Sequence, residues 1–210
     1  MAQVKKNEVR ERILAAAAEL FAERGYGQAT VAQIAKAAGT APSNVYVYFK
    51  SKLGIAFAIY EPWLEEHLDA MAKEVARLKT PEAKVFRLVQ VLWHDIPTDR
   101  NAFANNLIQA ISAATPEDGY EPALLRATEQ KIATALSQAL PPARAAEIDC
   151  MSFAHILMMA FDGFAVNRSN DTAIYCDDAM VEQMSAAILG HPPRKAVSAR
   201  RASRGPRRSA

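Results

Sequence analysis

The sequence predicts an all-α protein in which a three-helix N-terminal helix-turn-helix domain is followed by a larger helical domain. Apolar residues recur at the three- and four-residue spacing of helices through most of the chain, and no segment alternates apolar and polar residues convincingly, as a half-buried strand would. Breaker residues divide the pattern into about nine helices. Half of the 210 residues are hydrophobic and 23% are charged, which is typical of globular proteins.

The first helix is predicted to begin at Asn7 and to stop at Gly25, because glycine commonly follows the last turn of a helix. Apolar residues at helical spacing give this helix one face to bury against the helices that follow. The residues of this face are Ile13, Ala17, Leu20 and Phe21.

Two short helices are predicted next. Thr30 and Gln33 have the spacing of a capping box, in which each side chain binds the backbone N–H of the other residue. Gly39 is expected to stop this second helix, and Pro42 has the position that helices favour for their first residue. Two short helices joined by a tight turn with glycine are typical of a helix-turn-helix, whose second helix enters the major groove of DNA.

Longer helices are predicted in the rest of the chain. One amphipathic helix is expected from Lys52 to about Leu78, and the sequence Thr80-Pro81-Glu82 is typical of the start of the next. Further helices are expected near residues 99–114, 120–140, 143–167 and 175–189.

Charge is unevenly distributed in a chain whose net charge is +2. Residues 1–52 hold eight Lys and Arg against four Glu, residues 194–210 hold seven Lys and Arg without an acidic residue, and the middle is acidic. The two basic ends are expected to meet a polyanion, although surface solvation is an alternative explanation. Residues 191–210 contain three prolines and many Arg and Ser, which predicts a basic, disordered tail.

Several classes of protein are disfavoured. The N-terminus lacks the apolar region of a secretory signal, and no run reaches the roughly 18 uninterrupted apolar residues of a membrane helix. A cytoplasmic protein with no membrane partner is expected. The four histidines have no metal-ligand spacing, and no catalytic residue, metal site or cofactor is predicted, so an enzyme is the weaker alternative. Cys150 and Cys176 leave a thiol redox sensor as a second alternative to unreactive buried cysteines.

The segment RERILAAAAELFAERGYGQATVAQIAKAAGTAPSNVYVYFKSK has the most specific pattern. Its paired apolar residues, its Glu-Arg-Gly-Tyr turn at residues 23–26 and its closing run from Val45 to Lys52 closely resemble the N-terminal domain of the tetracycline-repressor (TetR) family. The resemblance covers about a quarter of the chain. Two residues depart from the family pattern: Ser43 stands where glycine is frequent, and Tyr48 where histidine is frequent. Tyrosine keeps a neutral phosphate donor at that position.

The resemblance and the residue types together imply a set of DNA contacts. Thr30, with the free N–H groups at the start of the second helix, is expected to bind a phosphate, as are Tyr46, Tyr48 and Lys52. A packing role for Tyr46 and a purely capping role for Thr30 are the alternatives. The residues expected to meet base edges are Thr40, Ala41, Pro42, Ser43, Asn44 and Val47.

Residues 40–49 contain no Lys or Arg, so the commonest specific contact, from Arg or Lys to guanine, is unavailable from this helix. Asn44 is therefore expected to read a base, with adenine as the favoured partner of its amide. Ala41, Pro42 or Val47 are expected to touch thymine methyl groups.

The resemblance also implies a homodimer and a small-molecule effector. Residues 150–166 are apolar except for Ser152, His155 and Asp162, so a helix here must be covered on all sides. In TetR-like proteins the last two helices form the dimer interface, although a fully internal helix is the alternative. The implied effector pocket lies among the middle helices. Its candidate lining residues are Trp63, Phe86, Trp93, His94, Phe103, Met158 and Phe161.

These expectations divide the chain into a DNA-binding domain at residues 7–67, an effector-binding and dimerisation domain at residues 68–190, and the tail at 191–210. The expected function is that of a sequence-specific transcriptional regulator, namely a repressor released from a palindromic double-stranded DNA operator by an unknown effector. Activation remains open. A nucleoid-type protein that binds DNA non-specifically through its tail is a further alternative.

Overall fold

The computed structural model describes residues 2–98, 103–118, 122–169 and 176–191, without the side chains of residues 2–5 and 168–169. All regular elements in these ranges are helical, which confirms the predicted all-α class. Ten α-helices are present there: α1 (Ala2–Gln28), α2 (Val31–Ala37), α3 (Pro42–Tyr48), α4 (Lys52–Arg77), α5 (Pro81–Gln90), α6 (Phe103–Ser112), α7 (Ala123–Ala139), α8 (Pro142–Glu147), α9 (Cys150–Ser169) and α10 (Asp178–Leu189).

The end of α1 differs from the prediction. The helix does not stop at Gly25 but continues to Gln28 across a break at that glycine, whose φ of 76° and ψ of 158° are not helical. A positive φ is accessible to glycine at little steric cost, so the residue predicted to end the helix instead bends it. Its beginning also lies earlier than Asn7, since the helix extends back to Ala2.

The single helix predicted at residues 143–167 is wrong, because two helices occupy this region. The chain is extended at Ile148, with φ −113° and ψ 150°, which separates α8 from α9. Asp149 then caps α9, since its carboxylate accepts from the Met151 N–H at 3.0 Å and from the Ser152 hydroxyl at 2.6 Å. Of the predicted tail at 191–210, only His191 lies within the described residues.

The first three helices share a small core. The helix α2 packs against both α1 and α3, and Phe21, Ile34 and Val45, each at most 1% exposed, belong to the shared core. Their burial holds the helix-turn-helix against α1, since α2 and α3 are seven residues each and too short to be stable alone. We refer to α1, α2 and α3 as the head, and to the described helices from α5 onward as the body.

The head and the body are connected by α4. This helix runs without interruption from Lys52 to Arg77, through the predicted domain boundary at residues 67 and 68. It packs against α1 on one side and against α5, α6 and α7 on the other. A boundary inside one helix gives the head no flexible linker, so that division of the chain stays a prediction.

The body is a helical bundle in which α7 packs against α9, and α5 packs against α10. A π-helical turn at Val91–Asp95 continues α5. Within this turn the Trp93 indole N–H donates to the Leu157 carbonyl of α9 at 3.0 Å, and the Trp93 ring lies 5.4 Å from the Phe164 ring. The indole therefore has a partner although it is buried.

The helix α9 is unusually apolar. Cys150–Asn167 is long and apolar enough to cross a membrane by length and composition, with a mean hydropathy of 1.3, and 28% of it is buried in the protein. Large apolar side chains therefore remain exposed on this helix, among them Ile156 at 48% and Met159 at 46%. A helix packed on only one side leaves an apolar face for another surface.

Substitution by alanine is expected to have opposite effects on stability at two glycines. Gly190 ends α10 in the left-handed conformation at φ 75°, and an added Cβ would lie 3.1 Å from Arg144 Cζ. Gly190→Ala is expected to lower the free energy of unfolding by about 1–2 kcal/mol. Gly54→Ala, inside α4 with open space around it, is expected to raise it by about 0.5–1 kcal/mol.

Urea unfolding of both variants at one protein concentration measures these differences. A destabilised Gly54→Ala variant would contradict the open environment of that residue.

Candidate nucleic-acid interface

The helix α2 begins with the predicted capping box. Thr30 Oγ1 accepts a hydrogen bond from the Gln33 N–H at 3.2 Å, and Gln33 Oε1 accepts one from the Thr30 N–H at 2.9 Å. The Thr30 side chain is exposed and acts only as an acceptor in this box. Its O–H is therefore available as a donor to a phosphate oxygen, so capping and phosphate binding are compatible in this residue.

The turn between α2 and α3 is held by backbone hydrogen bonds. Gly39 has a φ of 65°, and the Thr40 N–H then donates to the Ala35 carbonyl at 2.9 Å. Pro42 is the first residue of α3, as predicted. The turn thus fixes the direction in which α3 leaves α2.

The third helix has one buried and one exposed face. Val45 is 1% exposed and Phe49, just beyond the helix, is 7% exposed, so both anchor it to the head. Tyr46 at 57% and Val47 at 64% are instead the most exposed large hydrophobic side chains in the described residues. Such side chains are costly to leave in water, which favours a partner surface here. The further exposed residues on this side are Ala41, Pro42 and Ser43.

Asn44 lies at the edge of this exposed face and is half-buried. Its Nδ2 donates to Thr40 Oγ1 at 2.7 Å, which ties the turn between α2 and α3 to the first turn of α3. The amide keeps its carbonyl oxygen and one N–H, the donor and acceptor pair that an Asn presents to adenine. Thr40 thus restricts the orientation of Asn44 before any base is bound.

Lys52 has a structural role that the sequence did not indicate. Its ammonium donates to the Tyr26 carbonyl at 2.8 Å and to the Ala29 carbonyl at 3.0 Å, and lies 4.0 Å from the centre of the Tyr26 ring. Burial lowers the pKa of Lys52, and burial followed by the Asp118 carboxylate raises the pKa of Tyr26 to about 12. These bonds use two of the three ammonium donors, so one remains for the predicted phosphate contact.

Two residues of the body that contact the head were not predicted from the sequence. Asn106 and Gln109 of α6 hydrogen-bond to the backbone of α1 at its break: the Asn106 side chain to Tyr26 and Phe21, and the Gln109 side chain to Gly27. Their one sequence signal is the pair Asn105-Asn106 within an otherwise apolar helical segment. A buried amide requires hydrogen-bond partners, but the sequence does not show where those partners lie.

The candidate effector residues do not meet at one cavity in the part of the chain that the structure describes. Trp63 and Phe103 pack together with ring centroids 5.3 Å apart, while Met158 and Phe161 are buried in the core. His94 is exposed and pairs with the neighbouring Asp95. The remaining two residues line separate surface grooves. Phe86 lines a groove of about 450 Å³ between α5 and α10, and Trp93 lines a groove of about 500 Å³ beside α10.

The two cysteines offer little support for a redox sensor. Burial, followed by the carboxylates of Asp177 and Asp178, raises the pKa of Cys176 to about 11. Burial also raises the pKa of Cys150, with a further contribution from Asp149. A raised pKa depletes the thiolate, which is the reactive form.

Comparison with known proteins agrees with this geometry. Residues 13–59, which span α1 from its first buried isoleucine, both short helices and the start of α4, match the family described as bacterial regulatory proteins, tetR family. The match lies within the head and the start of α4. The TetR resemblance seen in the sequence is therefore confirmed, and the exposed face of α3 is the face of a family helix-turn-helix.

Curated bacterial regulators match part of the chain. The fatty acid metabolism regulator protein of Bacillus subtilis is 30% identical over 90 residues, which are 43% of this chain and 46% of that protein. The transcriptional activator FasR of Mycolicibacterium smegmatis is 31% identical over 111 residues, or 49% of each chain. The chain thus matches about half the length of these two relatives.

A solved structure extends the fold similarity to the body. FadR of Bacillus subtilis, in complex with stearoyl-CoA, has a TM-score of 0.63 over 85% of this chain and 97% of its own, at 19% identity. At this identity the similarity concerns the fold. All three proteins are regulators by name, in agreement with the choice of a regulator over an enzyme.

Asn44→Ala is expected to reduce discrimination at one base pair of each half-site by about 1–3 kcal/mol, because the only base-reading amide of α3 is lost. Thr30→Val is expected to weaken binding to all sequences alike, since a phosphate contact carries no sequence information. Binding to a panel of single-base operator variants distinguishes the two effects. Uniform weakening by Asn44→Ala would make Asn44 a phosphate contact.

Proposed function

We propose that the protein is a sequence-specific, DNA-binding transcriptional regulator that acts as a dimer in the cytoplasm, and that it represses transcription until a small molecule releases it from its operator. The observation that carries this proposal is the exposed face of α3 on a TetR-type head. Tyr46 and Val47 are anchored there by a helix whose opposite face is buried.

Base reading is supported by the side chains of this face. Asn44 supplies the hydrogen-bonding pair, and Ala41, Pro42 and Val47 supply small apolar surfaces that fit the methyl group of thymine. Phosphate contacts come from both sides of this face: from Thr30, which caps the start of α2, and from Tyr48 and Lys52, which end α3 and begin α4. Phosphate contacts fix the position of the helix on the duplex, and base contacts determine which DNA sequence is preferred.

The dimer is supported by the exposed stripe of α9. Ser152, Ile156, Met159, Gly163 and Val166 follow one another at intervals of four, three, four and three residues, and all are exposed. This spacing places them on one face, as in the seam between paired helices. Two copies joined through this stripe would bury the apolar face that a single chain leaves in water.

The groove beside α10 continues the proposed interface. Met180 and Met184 of α10 line it together with Trp93, which binds α9 through its indole. Methionine side chains adapt to irregular surfaces, so this groove fits a helix of the second copy. A two-fold dimer presents two α3 helices to the major groove about one helical turn apart, which requires a palindromic operator.

Release by an effector is supported by the TetR relatives. One of them is a fatty acid metabolism regulator, and a similar fold is known with stearoyl-CoA bound. Long-chain acyl-CoA thioesters are therefore the first effectors to test. Another relative is named an activator, so the direction of control is to be measured along with the operator.

Selection from randomised duplex DNA at about 150 mM salt tests the proposal, because non-specific binding is already weak at that salt. We expect a palindrome with half-sites about one helical turn apart. Addition of acyl-CoA to the recovered complex then tests release. Recovery of no motif, with binding that collapses as salt rises, would contradict sequence-specific regulation and favour the nucleoid-type alternative.

Met159→Glu tests the proposed dimer face. A carboxylate in an apolar interface is expected to convert the dimer to a monomer and to abolish tight operator binding, since a buried unpaired charge is costly. Sedimentation velocity measures the assembly state. Ser137→Glu, on the exposed side of α7, is the matched control and is expected to stay dimeric. A dimeric Met159→Glu variant would show that α9 is not the interface.

A further inference from the structure

Two side-chain amides of α6 hold the break in α1. The Asn106 carbonyl oxygen accepts a hydrogen bond from the Tyr26 N–H at 2.9 Å, and its Nδ2 donates to the Phe21 carbonyl at 3.0 Å. One turn further along α6, the Gln109 carbonyl oxygen accepts from the Gly27 N–H at 3.3 Å. We call these three hydrogen bonds the α1–α6 clasp.

The clasp satisfies backbone groups that the break would otherwise leave unpaired. In a regular helix the Phe21 carbonyl would accept from the N–H of Gly25, the residue at which the helical conformation is lost. Asn106 is 1% exposed and Tyr26 is 5% exposed, so water does not replace these bonds. A buried N–H or carbonyl without a partner is costly, and the amide of Asn106 supplies both partners at once.

The same short segment is held from the other side by the head. Lys52 donates to the carbonyls of Tyr26 and Ala29, and Ala29 directly precedes the capping residue Thr30. Only the three residues 28–30 therefore separate the clasp from the beginning of α2. A displacement of α6 along or away from α1 is transmitted to the helix-turn-helix through hydrogen bonds rather than through apolar contacts that could slide.

We propose that Asn106 and Gln109 are positioning residues for operator binding, and that the α1–α6 clasp fixes the angle of each head on its body. In a dimer this angle sets the distance between the two α3 helices, and so the half-site spacing that the protein accepts. The proposal rests on the proposed function, because it requires a dimer on a two-site operator. Neither residue touches DNA in this arrangement; both act through the backbone of α1.

Tyr60 provides a matched control beside the clasp. Its side chain is fully buried, and its hydroxyl lies next to Asn106 without a hydrogen bond of good geometry. Burial raises the pKa of this phenol, so the hydroxyl stays neutral. Tyr60→Phe therefore changes the same buried region while leaving all three hydrogen bonds of the clasp in place.

The experiment compares the full-length wild type with Asn106→Leu, Gln109→Leu and Tyr60→Phe. Binding is measured to the selected operator and to versions in which the two half-sites are moved apart or together by one or two base pairs. The measured quantity is the ratio of affinity for the native spacing to affinity for each altered spacing. Circular dichroism and sedimentation establish that each variant is folded and dimeric.

We expect Asn106→Leu to lower this spacing ratio about fivefold or more, the equilibrium factor of one hydrogen bond, with Gln109→Leu in the same direction and Tyr60→Phe unchanged. A purely structural role would lower the active fraction and reduce all affinities equally, which leaves the ratio intact. Gln109 is half-exposed, so Gln109→Leu is expected to fold. It therefore still tests the inference if Asn106→Leu does not fold.

Unchanged ratios in folded, dimeric Asn106→Leu or Gln109→Leu would overturn the inference. Equal loss of the ratio in Tyr60→Phe would do so as well, since the effect would then be general loosening of the core. Failure of the proposed function can be distinguished from failure of this inference. In that case selection with the wild type would yield no palindrome, and the wild type would have no spacing preference.

Discussion

The pairing of backbone polar groups where α1 ends is the constraint on which the rest of the structure depends. The chain must leave α1, turn and enter α2 within a few residues, and it does so at a place covered by both α4 and α6. The N–H and carbonyl groups of Tyr26 and Ala29 need partners within the protein, because these two residues are buried. Lys52 supplies donors to the carbonyls of the segment, and α6 supplies amides to its N–H groups. Head and body thus share one hydrogen-bonded junction.

The long helix α4 gives this junction its stiffness. It runs from the ammonium that binds the α1–α2 segment, past Tyr60 in the core, to the contacts with α5 and α7. Since α4 is continuous, the head can tilt only if α4 tilts or bends with it. Pro62 is the one proline within the helix, and a proline interior to a helix removes a backbone hydrogen bond. A bend of α4 is therefore easiest close to the junction.

Much of the fold could be predicted from the sequence because its signals are local. The capping box of Thr30 and the proline that opens α3 depend on residues near one another in the chain. The break at Gly25 was read as a stop, since a glycine that ends a helix and one that bends it have the same local signal. The contacts of Asn106 span 80 and 85 residues, and no local pattern contains such information.

The sequence predicts which helix presents an exposed face, but it does not predict the side-chain contacts around that face. The exposed face of α3 follows from the anchoring of Val45 and Phe49, whose four-residue spacing is visible in the sequence. The hydrogen bonds of Lys52 to backbone carbonyls have no signal in the sequence, because a basic residue at this position predicts phosphate binding and does not indicate carbonyls elsewhere in the chain. The effector candidates have only their residue type and their place among the middle helices in common. Aromatic and methionine residues fill most helical cores, so type does not distinguish core from pocket.

The lack of Lys and Arg in residues 40–49 separates two properties that many DNA-binding helices combine. An arginine that reads guanine also contributes to the attraction of the duplex, so its selectivity and its electrostatic affinity change together with ionic strength. Here the reading surface is uncharged, while the cations belong to other parts of the chain. For the proposed regulator, ionic strength is therefore expected to govern the affinity for DNA of any sequence and to leave the preference among sequences nearly unchanged.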